Sequence, residues 1–590
     1  MGTRWLWVLA VILGLGSLLG GSSWLFSQEL SPIAADRVSA LHLTYPPPNH
    51  RTTADRLFLI GSAPPEGVVR VNGRVIPRSR AGHFAPTVPL VLGLNNLVLH
   101  HDRPSREIRV QVLREPITPV PPTDLDVLRQ GFEPQVPVMI PVGDVLCFRA
   151  IATPAAEVSL QVGENRISLM PTPVLLPGNG AALTGRNQPI PATGHYAGCN
   201  RFEHPDTFTK AIIRLRRGGQ ELSRELPVAI AITAASPQAI ATVRVPQGVA
   251  RSGPGTDFSR LTPLPRGTVA HVIARHGDWL RLALGDYTAW IRQQEVEQRP
   301  VALLPPVTLR SISARDRGAW TEIHIPLDRP VPLAIGQRPH SLSLSLFGVT
   351  PQTDTIAVPN LYWQQESGDR LTLTLERPQW GYRVRYDGTT LVLSLRQPPR
   401  SPQLRGQTIL LDPGHGGPED LGARGSTGYP EKAVTLRVAR LLQRELERRG
   451  ATVILTRTED RDLGLQERVA QIEQAAPAIA LSLHYNALPD DGDAAHTAGI
   501  GTFWFQPQSQ PLAQFLHDDL IRQLQRPSYG VFWNNLALTR PTDAPAVLLE
   551  LGFMIHPEEF SWIVDPLQQQ KLAIALAQSI ERYFILQGSS

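Results

Sequence analysis

The last third of this 590-residue chain contains three side chains suited to binding a metal and moving a proton: His415, His484 and Glu550. Each closely follows a short, uncharged apolar run typical of a buried strand. In open α/β sheets the carboxyl ends of the strands line one crevice, so these side chains can converge although they are far apart in sequence. Imidazole and carboxylate groups are ligands of hydrolytic zinc, which keeps one position open for water. The placement predicts a zinc hydrolase site.

A further carboxylate ligand is needed, and Glu431 is the best candidate. It opens a predicted helix directly after Gly428-Tyr429-Pro430, on the connection that leaves the strand before His415. An acidic residue at this position also complements the helix dipole, which is the commoner role on placement alone. Both roles for Glu431 therefore remain open at this point.

The elements that must position these residues alternate between strands and helices. The apolar spacing from Val434 to Leu446 predicts a helix closed by Gly450. Two more helices are predicted over 465–475 and 511–524, and strands over 408–411, 451–455, 479–483, 501–505 and 546–549. This alternation predicts a C-terminal α/β domain with a largely parallel, doubly wound sheet.

Other polar residues near these strand ends have competing interpretations. Asp412 either shapes the Asp-Pro-Gly turn or holds a ligand imidazole. Arg457 and Asn486 suit substrate contacts as well as salt-bridge or turn roles. Three further histidines are expected to be structural or solvated, namely His496, His517 and His556.

Five short blocks in this region occur in the order found in a known enzyme family. They are Leu411–Gly417, Glu431-Lys432, Leu455–Arg457, Ser482–Ala487 and Leu549–Phe553. In this order they resemble the zinc-dependent N-acetylmuramoyl-L-alanine amidases (amidase type 3), over about residues 405 to 583. The resemblance implies that His415, Glu431 and His484 bind one Zn²⁺ and that Glu550 is the catalytic carboxylate.

The resemblance also implies an activity and a substrate. The expected reaction is hydrolysis of the amide bond between N-acetylmuramic acid and L-alanine in peptidoglycan, with Glu550 as general base and then general acid. Two alternatives are a noncatalytic cell-wall-binding scaffold and a zinc peptidase that acts within the stem peptide. Some amidases of this family carry a helical insertion that occludes the zinc. The short loop from Asn486 to Gly501 and the segment 511–541 leave little room for one, so we expect that the isolated domain needs no partner to open its site.

The N-terminus predicts export. Arg4 precedes an apolar run from Trp5 to Leu19, which small residues follow at 20–23. With Trp24 to Phe26 included, the run is long enough to span a bilayer. Residues 1–30 are therefore expected to be a signal peptide or a membrane anchor. The protein is expected in the periplasm or cell envelope, and an uncleaved segment would tether it to the membrane.

The middle of the chain predicts several all-β domains, because short alternating runs are separated by turn signals among 55 prolines and 47 glycines. Asn72-Gly73 is a strong hairpin signal. The predicted multidomain order is an Ig-like sandwich (36–114), a β-rich domain of unassigned family (125–236), an SH3-like barrel (238–299), an AMIN-like sandwich (305–398) and the amidase domain (405–586). The SH3 resemblance rests on Ala250–Phe258, Leu264–Thr268, Gly277–Leu280 and Ala289–Ile291.

Charge and cysteine content narrow the remaining function classes. The net charge is +5, but no dense Lys/Arg run alternates with aromatic residues, so no nucleic-acid partner is predicted. Cys147 and Cys199 fall in one predicted domain, where export would permit a disulfide; their spacing leaves both the bonded and the free state open.

Overall fold

The chain folds into four successive all-β regions followed by one region of mixed strands and helices. A computed structural model describes residues 38–588 except 174–192, 235–236, 286, 339, 353–357, 367–369 and 377–378. The predicted signal or anchor segment, 1–30, lies outside the described residues. Among those described, no helix is both long and apolar enough to cross a bilayer.

The first region, within 38–114, pairs its strands into three small sheets over a shared core. Asn72 and Gly73 both have positive φ, at 47° and 79°, and join two paired strands, so the predicted hairpin is confirmed. The Ig-like assignment stays a prediction. Its strands are His42–Tyr45, His50–Thr52, Arg56–Phe58, Ile60–Ser62, Val69–Val71, Arg74–Val75, His83–Phe84, Thr87–Pro89, Gly93–Asp102 and Ser105–Arg114.

The second region contains the only two cysteines, and they form a disulfide between directly opposed positions of neighbouring strands. Its strand Val138–Pro141 also pairs with Val269–His276 of the next region, so one sheet continues across both. The strands are Val127–Glu133, Val138–Pro141, Val145–Ala152, Glu157–Val162, Asn165–Pro171, His195–Arg201, Asp206–Arg217 and Gln220–Thr233.

The third region is the predicted SH3-like one. Trp279 is buried beneath the guanidinium of Arg292, whose Cζ lies 5.0 Å from the ring centroid, and Trp290 packs on the core of the second region. Both tryptophans thus take part in packing. The strands are Ala239–Val243, Gln247–Gly248, Leu264–Pro265, Val269–His276, Trp279–Leu284, Tyr287–Arg292 and Val296–Pro300.

The fourth region packs two four-stranded antiparallel sheets around one core of alternating aliphatic residues. This matches the period of two in the sequence; the AMIN-like assignment stays a prediction. The strands are Val307–Leu309, Ser313–Asp316, Trp320–Pro326, Leu333–Arg338, Ser341–Phe347, Val349–Pro351, Leu361–Glu366, Arg370–Glu376, Gly381–Asp387 and Thr390–Arg396.

The last region is the predicted α/β domain. Its strands are β1 (Thr408–Pro413), β2 (Thr452–Leu455), β3 (Ile479–Asn486), β4 (Ile500–Trp504), β5 (Ser528–Trp533) and β6 (Ala546–Phe553). Its α-helices are α1 (Glu431–Arg448), α2 (Leu465–Ala475), α3 (Gln510–Leu524), α4 (Pro557–Val564) and α5 (Pro566–Gly588). The sheet order is β2-β1-β3-β6-β4-β5, with β2, β1, β3 and β6 mutually parallel and β4 antiparallel to β6.

Both faces of this sheet are covered by helices. Ile409 and Leu411 of β1 point into a core shared with α1, α3 and α5, whereas Leu410 points into a smaller core with α2. Strands buried on both faces explain the continuous apolar runs in the sequence. Between α3 and β6 the chain forms the strand Ser528–Trp533, and a 3₁₀ turn follows at Ala537–Thr539.

Candidate active site

His415, Glu431 and His484 meet at the carboxyl ends of β1 and β3. His415 Nε2 lies 3.1 Å from Glu431 Oε2, and His484 Nδ1 lies 3.1 Å from Glu431 Oε1. Candidate ligand atoms of the three residues all fall within 4.8 Å of one another, and no other such group occurs among the described residues. The structure therefore brings together the three side chains that the sequence predicts as ligands.

The backbone before His415 has a conformation and a spacing that few residues allow. A Cβ on Gly414 would lie 2.3 Å from His484 Cε1, so only glycine lets the chain pass the second imidazole. His415 itself has φ of 61°, which is uncommon for a residue with a side chain. Arg468 of α2 donates a hydrogen bond of 2.7 Å to the His415 carbonyl and helps to hold this turn.

Asp420 fixes the orientation of the first imidazole. Its Oδ1 lies 2.6 Å from His415 Nδ1, which leaves Nε2 directed at Glu431. A carboxylate on the far nitrogen of a metal-binding histidine sets the tautomer and raises ligand basicity. The sequence pattern did not single out Asp420; the only available signal was an acidic residue in the glycine-rich loop after His415.

Glu431 is held on both carboxylate oxygens. The backbone N–H groups of Ala423 and Tyr485 donate to Oε2 and Oε1, at 2.8 and 2.9 Å, and the side chain is almost fully buried. Burial would raise the pKa of Glu431, but hydrogen bonds and positive charge from His415 and His484 lower it overall. Glu431 is thus an ionised, preoriented carboxylate, a property that suits a metal ligand.

Glu550 lies beside the cluster because β6 pairs with β3 so that Glu550 is opposite His484. Its Oε2 is buried and has no hydrogen-bond partner among the described residues. Burial, followed by the negative charge of Glu431, raises the pKa of Glu550 well above its ordinary value. A buried carboxyl oxygen without a partner is rare in folded proteins and is a mark of a functional position.

Asp412 holds the end of β1 and not an imidazole. Its carboxylate accepts hydrogen bonds from Ser482 Oγ at 2.6 Å, Thr456 Oγ1 at 2.5 Å and Arg468 Nη1 at 2.7 Å. The suggestion that Asp412 orients a ligand histidine is therefore wrong, since Asp420 occupies that position. The role of Arg468, which lies on α2, was not predicted from the sequence either.

Arg457 is likewise structural. It is 1% exposed and donates to the carbonyls of Pro413, Gly414 and Lys432, at 2.8 to 3.0 Å. It thus ties the turn before His415 to the first turn of α1. Asn486 is nearly buried, and its Oδ1 accepts from the backbone of Ala487. The substrate-contact alternative is excluded for Arg457 by its burial.

The remaining histidines have local roles, as expected. His556 is the N-cap of α4, where its Nδ1 accepts from two backbone N–H groups at 3.2 Å. His496 pairs with Asp493 on the surface, and His517 lies 3.0 Å from Asp518 and Ser528. All three are bound away from the cluster.

No inserted helix covers the site between β3 and β6, a segment that the structure describes completely. The single α-helix there is α3, and its Leu512, Leu516 and Leu520 are buried in the core of the domain. Its place is therefore the flank of the sheet and not the crevice above the strand ends.

Residues 409–582 match the family model described as N-acetylmuramoyl-L-alanine amidase. The C-terminal α/β region is a domain of this family. Residues 249–297 match the model described as bacterial SH3 domain, which confirms the third region as SH3-like.

Curated relatives match the same C-terminal domain. The protein named "Probable cell wall amidase LytH" from Staphylococcus epidermidis is 35% identical over 198 residues, which is 33% of this chain and 65% of that protein. Its namesake in Staphylococcus aureus is 37% identical over 183 residues, 31% of this chain and 60% of that one. The chain thus spans less than two thirds of these relatives.

Among solved structures, the catalytic domain of the N-acetylmuramoyl-L-alanine amidase CwlV from Bacillus (Paenibacillus) polymyxa is 28% identical. That match covers 30% of this chain and 97% of the other, with a TM-score of 0.28. The N-acetylmuramoyl-L-alanine amidase from Clostridium difficile 630 is also 28% identical, covers 30% and 96%, and has a TM-score of 0.29.

Proposed function

We propose that the protein is an exported, zinc-dependent N-acetylmuramoyl-L-alanine amidase that separates the stem peptide from the glycan of peptidoglycan. The observation that carries this proposal is the meeting of two imidazoles and one carboxylate beside Glu550, whose buried Oε2 has no hydrogen-bond partner among the described residues. The family of the C-terminal domain and the names of its relatives support the bond that is cleaved.

The residues present fit a zinc ion. Zinc takes imidazole nitrogen and carboxylate oxygen and needs three protein ligands in a catalytic site, and His415, Glu431 and His484 offer this set with their donor atoms within 4.8 Å. Asp420 on His415 and the backbone donors on Glu431 supply the orientation that such ligands need. When bound, zinc supplies Lewis-acid chemistry at this position.

Glu550 performs the proton transfers in this proposal. A carboxylate with a raised pKa takes a proton from the attacking water as a C–O bond forms at the amide carbon. The same group then delivers the proton to the nitrogen as the C–N bond breaks, since a free amide anion is a poor leaving group. The products are the intact stem peptide with a free amine and the lactyl carboxylate on the glycan.

The other regions suit delivery to the wall. The apolar N-terminal run supports export to the periplasm or cell envelope, by a cleaved signal or an anchor. The SH3-like region is a candidate for contact with peptidoglycan, the proposed partner and substrate.

The test is mass spectrometry of purified peptidoglycan digested by zinc-loaded, full-length protein. Wild type and Glu558→Gln, a matched exposed glutamate on α4, should release intact stem peptides, whereas Glu550→Gln should bind one zinc and release none. Peptides cut between amino acids would indicate the zinc-peptidase alternative. Zinc-loaded wild-type protein that binds the wall but releases nothing would indicate the scaffold alternative.

A further inference from the structure

The first β region, residues 38–114, lies against the catalytic domain at the loops that flank the candidate active site. Its contacts fall on three segments: one before Glu431, one after His484 and one after Glu550. We call this contact the docking interface. None of the sequence patterns predicted it, and it joins residues more than 380 positions apart.

Asp490 is the centre of the docking interface. Its two carboxylate oxygens contact Tyr45 Oη, which donates a hydrogen bond, and His50 Nε2, which lies 2.9 Å away. The amide of Phe58 donates to the Asp490 carbonyl at 3.2 Å. Because Asp490 comes six residues after His484, these bonds hold the loop that leaves β3.

Apolar burial extends this contact toward Glu550. Phe58 and Ile60 share a buried cluster with Ala494, Phe553 and Ile555, each of them 3% exposed or less. Phe553 ends β6 only three residues after Glu550. Separation of the first region would expose this apolar surface to water, and apolar burial is the main favourable term in such contacts.

The loop before Glu431 is reached in two ways. Thr44 Oγ1 donates to the Ser426 carbonyl at 3.1 Å. The ring of His83 lies 5.1 Å from that of Phe560, and Phe560 packs so closely on Gly425 that a Cβ there would lie 1.9 Å from its ring. Phe560 therefore links His83 of the first region to the segment that precedes Glu431.

We propose that the first region is a positioning element of the active site and that Asp490 is its principal positioning residue. Catalytic groups must be held within about 0.5 Å of their working geometry, and loops do this less well than strands unless they are supported. The docking interface supports all three loops from outside the domain. The expected effect on turnover rests on the proposed function. The expected effect on metal binding does not depend on it.

The test compares full-length variants under zinc saturation and in competition with a chelator. Asp490→Ala disrupts the polar contacts of the docking interface, and Phe58→Asp disrupts its apolar contacts. Asp490→Asn retains an acceptor for Tyr45. Glu115→Ala is the matched control, because it removes an exposed ion pair between Arg51 of the first region and the residue that directly follows its last strand. Hydrogen exchange over residues 487–494 reports docking independently.

For Asp490→Ala and Phe58→Asp we expect faster exchange over 487–494, a kcat lower by about 10-fold or more, and a zinc dissociation constant higher by about 10-fold. Zinc stoichiometry at saturation should stay at one, and Asp490→Asn should be intermediate. Faster exchange with kcat and zinc affinity within twofold of wild type would overturn the proposal. Unchanged exchange in Asp490→Ala would overturn the role of Asp490. If wild type itself releases no stem peptide, the proposed function fails, while zinc affinity still decides the inference.

Discussion

Replacement of Gly414 by alanine is the sharpest test of the assigned metal ligands. The added Cβ would lie 2.3 Å from His484 Cε1, and ordinary contact begins near 3.4 Å, so the imidazole or the turn must retreat by about 1 Å. Displacement of a ligand by this much should weaken zinc binding by about 10- to 100-fold. This corresponds to about 1.4 to 2.7 kcal/mol.

The same crowding should lower the stability of the zinc-free protein by about 1 to 3 kcal/mol, the usual cost of overpacking. Gly464→Ala is a matched control, since an added Cβ meets nothing within 4 Å there and its φ of −67° suits any residue. Zinc affinity would be measured by chelator competition on full-length protein, and stability by chemical unfolding.

Two results would refute this reasoning. If Gly414→Ala binds zinc within twofold of wild type, His484 is not a metal ligand in the conformation described. If Gly464→Ala weakens zinc binding as much as Gly414→Ala does, the effect comes from the loss of glycine flexibility and not from contact with the imidazole.

Two further predictions concern the residues that hold the ligands. Asp420→Ala should weaken zinc binding about 10-fold, because His415 loses its orienting carboxylate, and the exposed neighbour Glu419→Ala should not; equal affinities in chelator competition would contradict this. Asp412→Asn should lower the free energy of unfolding at pH 7 by about 3 kcal/mol or more, since it leaves Arg468 buried without its ion pair. Burial alone would raise the pKa of Asp412, but Arg468 and three hydrogen bonds lower it overall, so its stabilisation is full above about pH 4 and is lost as pH falls through the folded-state pKa. Urea unfolding from pH 7 to 3 should therefore show the gap between wild type and Asp412→Asn narrowing toward acid, and a constant gap would contradict the assignment.

Much of the site could be predicted because strand ends and helix starts are local features. The apolar runs before His484 and Glu550 locate both strands, although β3 continues to Asn486 and β6 to Phe553. Parallel pairing then places both residues near the same end of the sheet. Glu431 begins α1, as expected from the residues before it. Placement alone could not separate its two roles; the contacts with both imidazoles do so.

The supporting residues could not be predicted because their roles depend on contacts between distant segments. Arg468 looks like any charged residue on a short helix, yet it is buried and binds Asp412 and three backbone carbonyls. The antiparallel direction of β4 could not be predicted either, because an apolar run fits a parallel and an antiparallel strand equally well. The docking interface could not be predicted for the same reason. From the sequence, an aromatic residue such as Phe58 fits the core of its own domain as well as a contact with another domain.

The different roles proposed for Glu431 and Glu550 follow from the groups that surround each carboxylate. Glu431 is almost fully buried, and Glu550 is partly buried with its Oε2 inaccessible to water; in each case burial alone raises the pKa. The two imidazoles around Glu431 outweigh this effect and keep it ionised, and two backbone N–H groups also donate to it. Glu550 has the negative charge of Glu431 nearby, and its Oε2 has no hydrogen-bond partner among the described residues. Neighbouring carboxyl groups whose pKa values are pushed in opposite directions are suited to different tasks. Glu431, whose pKa is lowered, stays a carboxylate, which suits a metal ligand. Glu550, whose pKa is raised, accepts a proton more readily, which suits transfer between water and a leaving amine. Exchange of these roles would require the imidazoles to face Glu550, and the register of β3 and β6 together with the contacts of Glu431 places them on Glu431 instead.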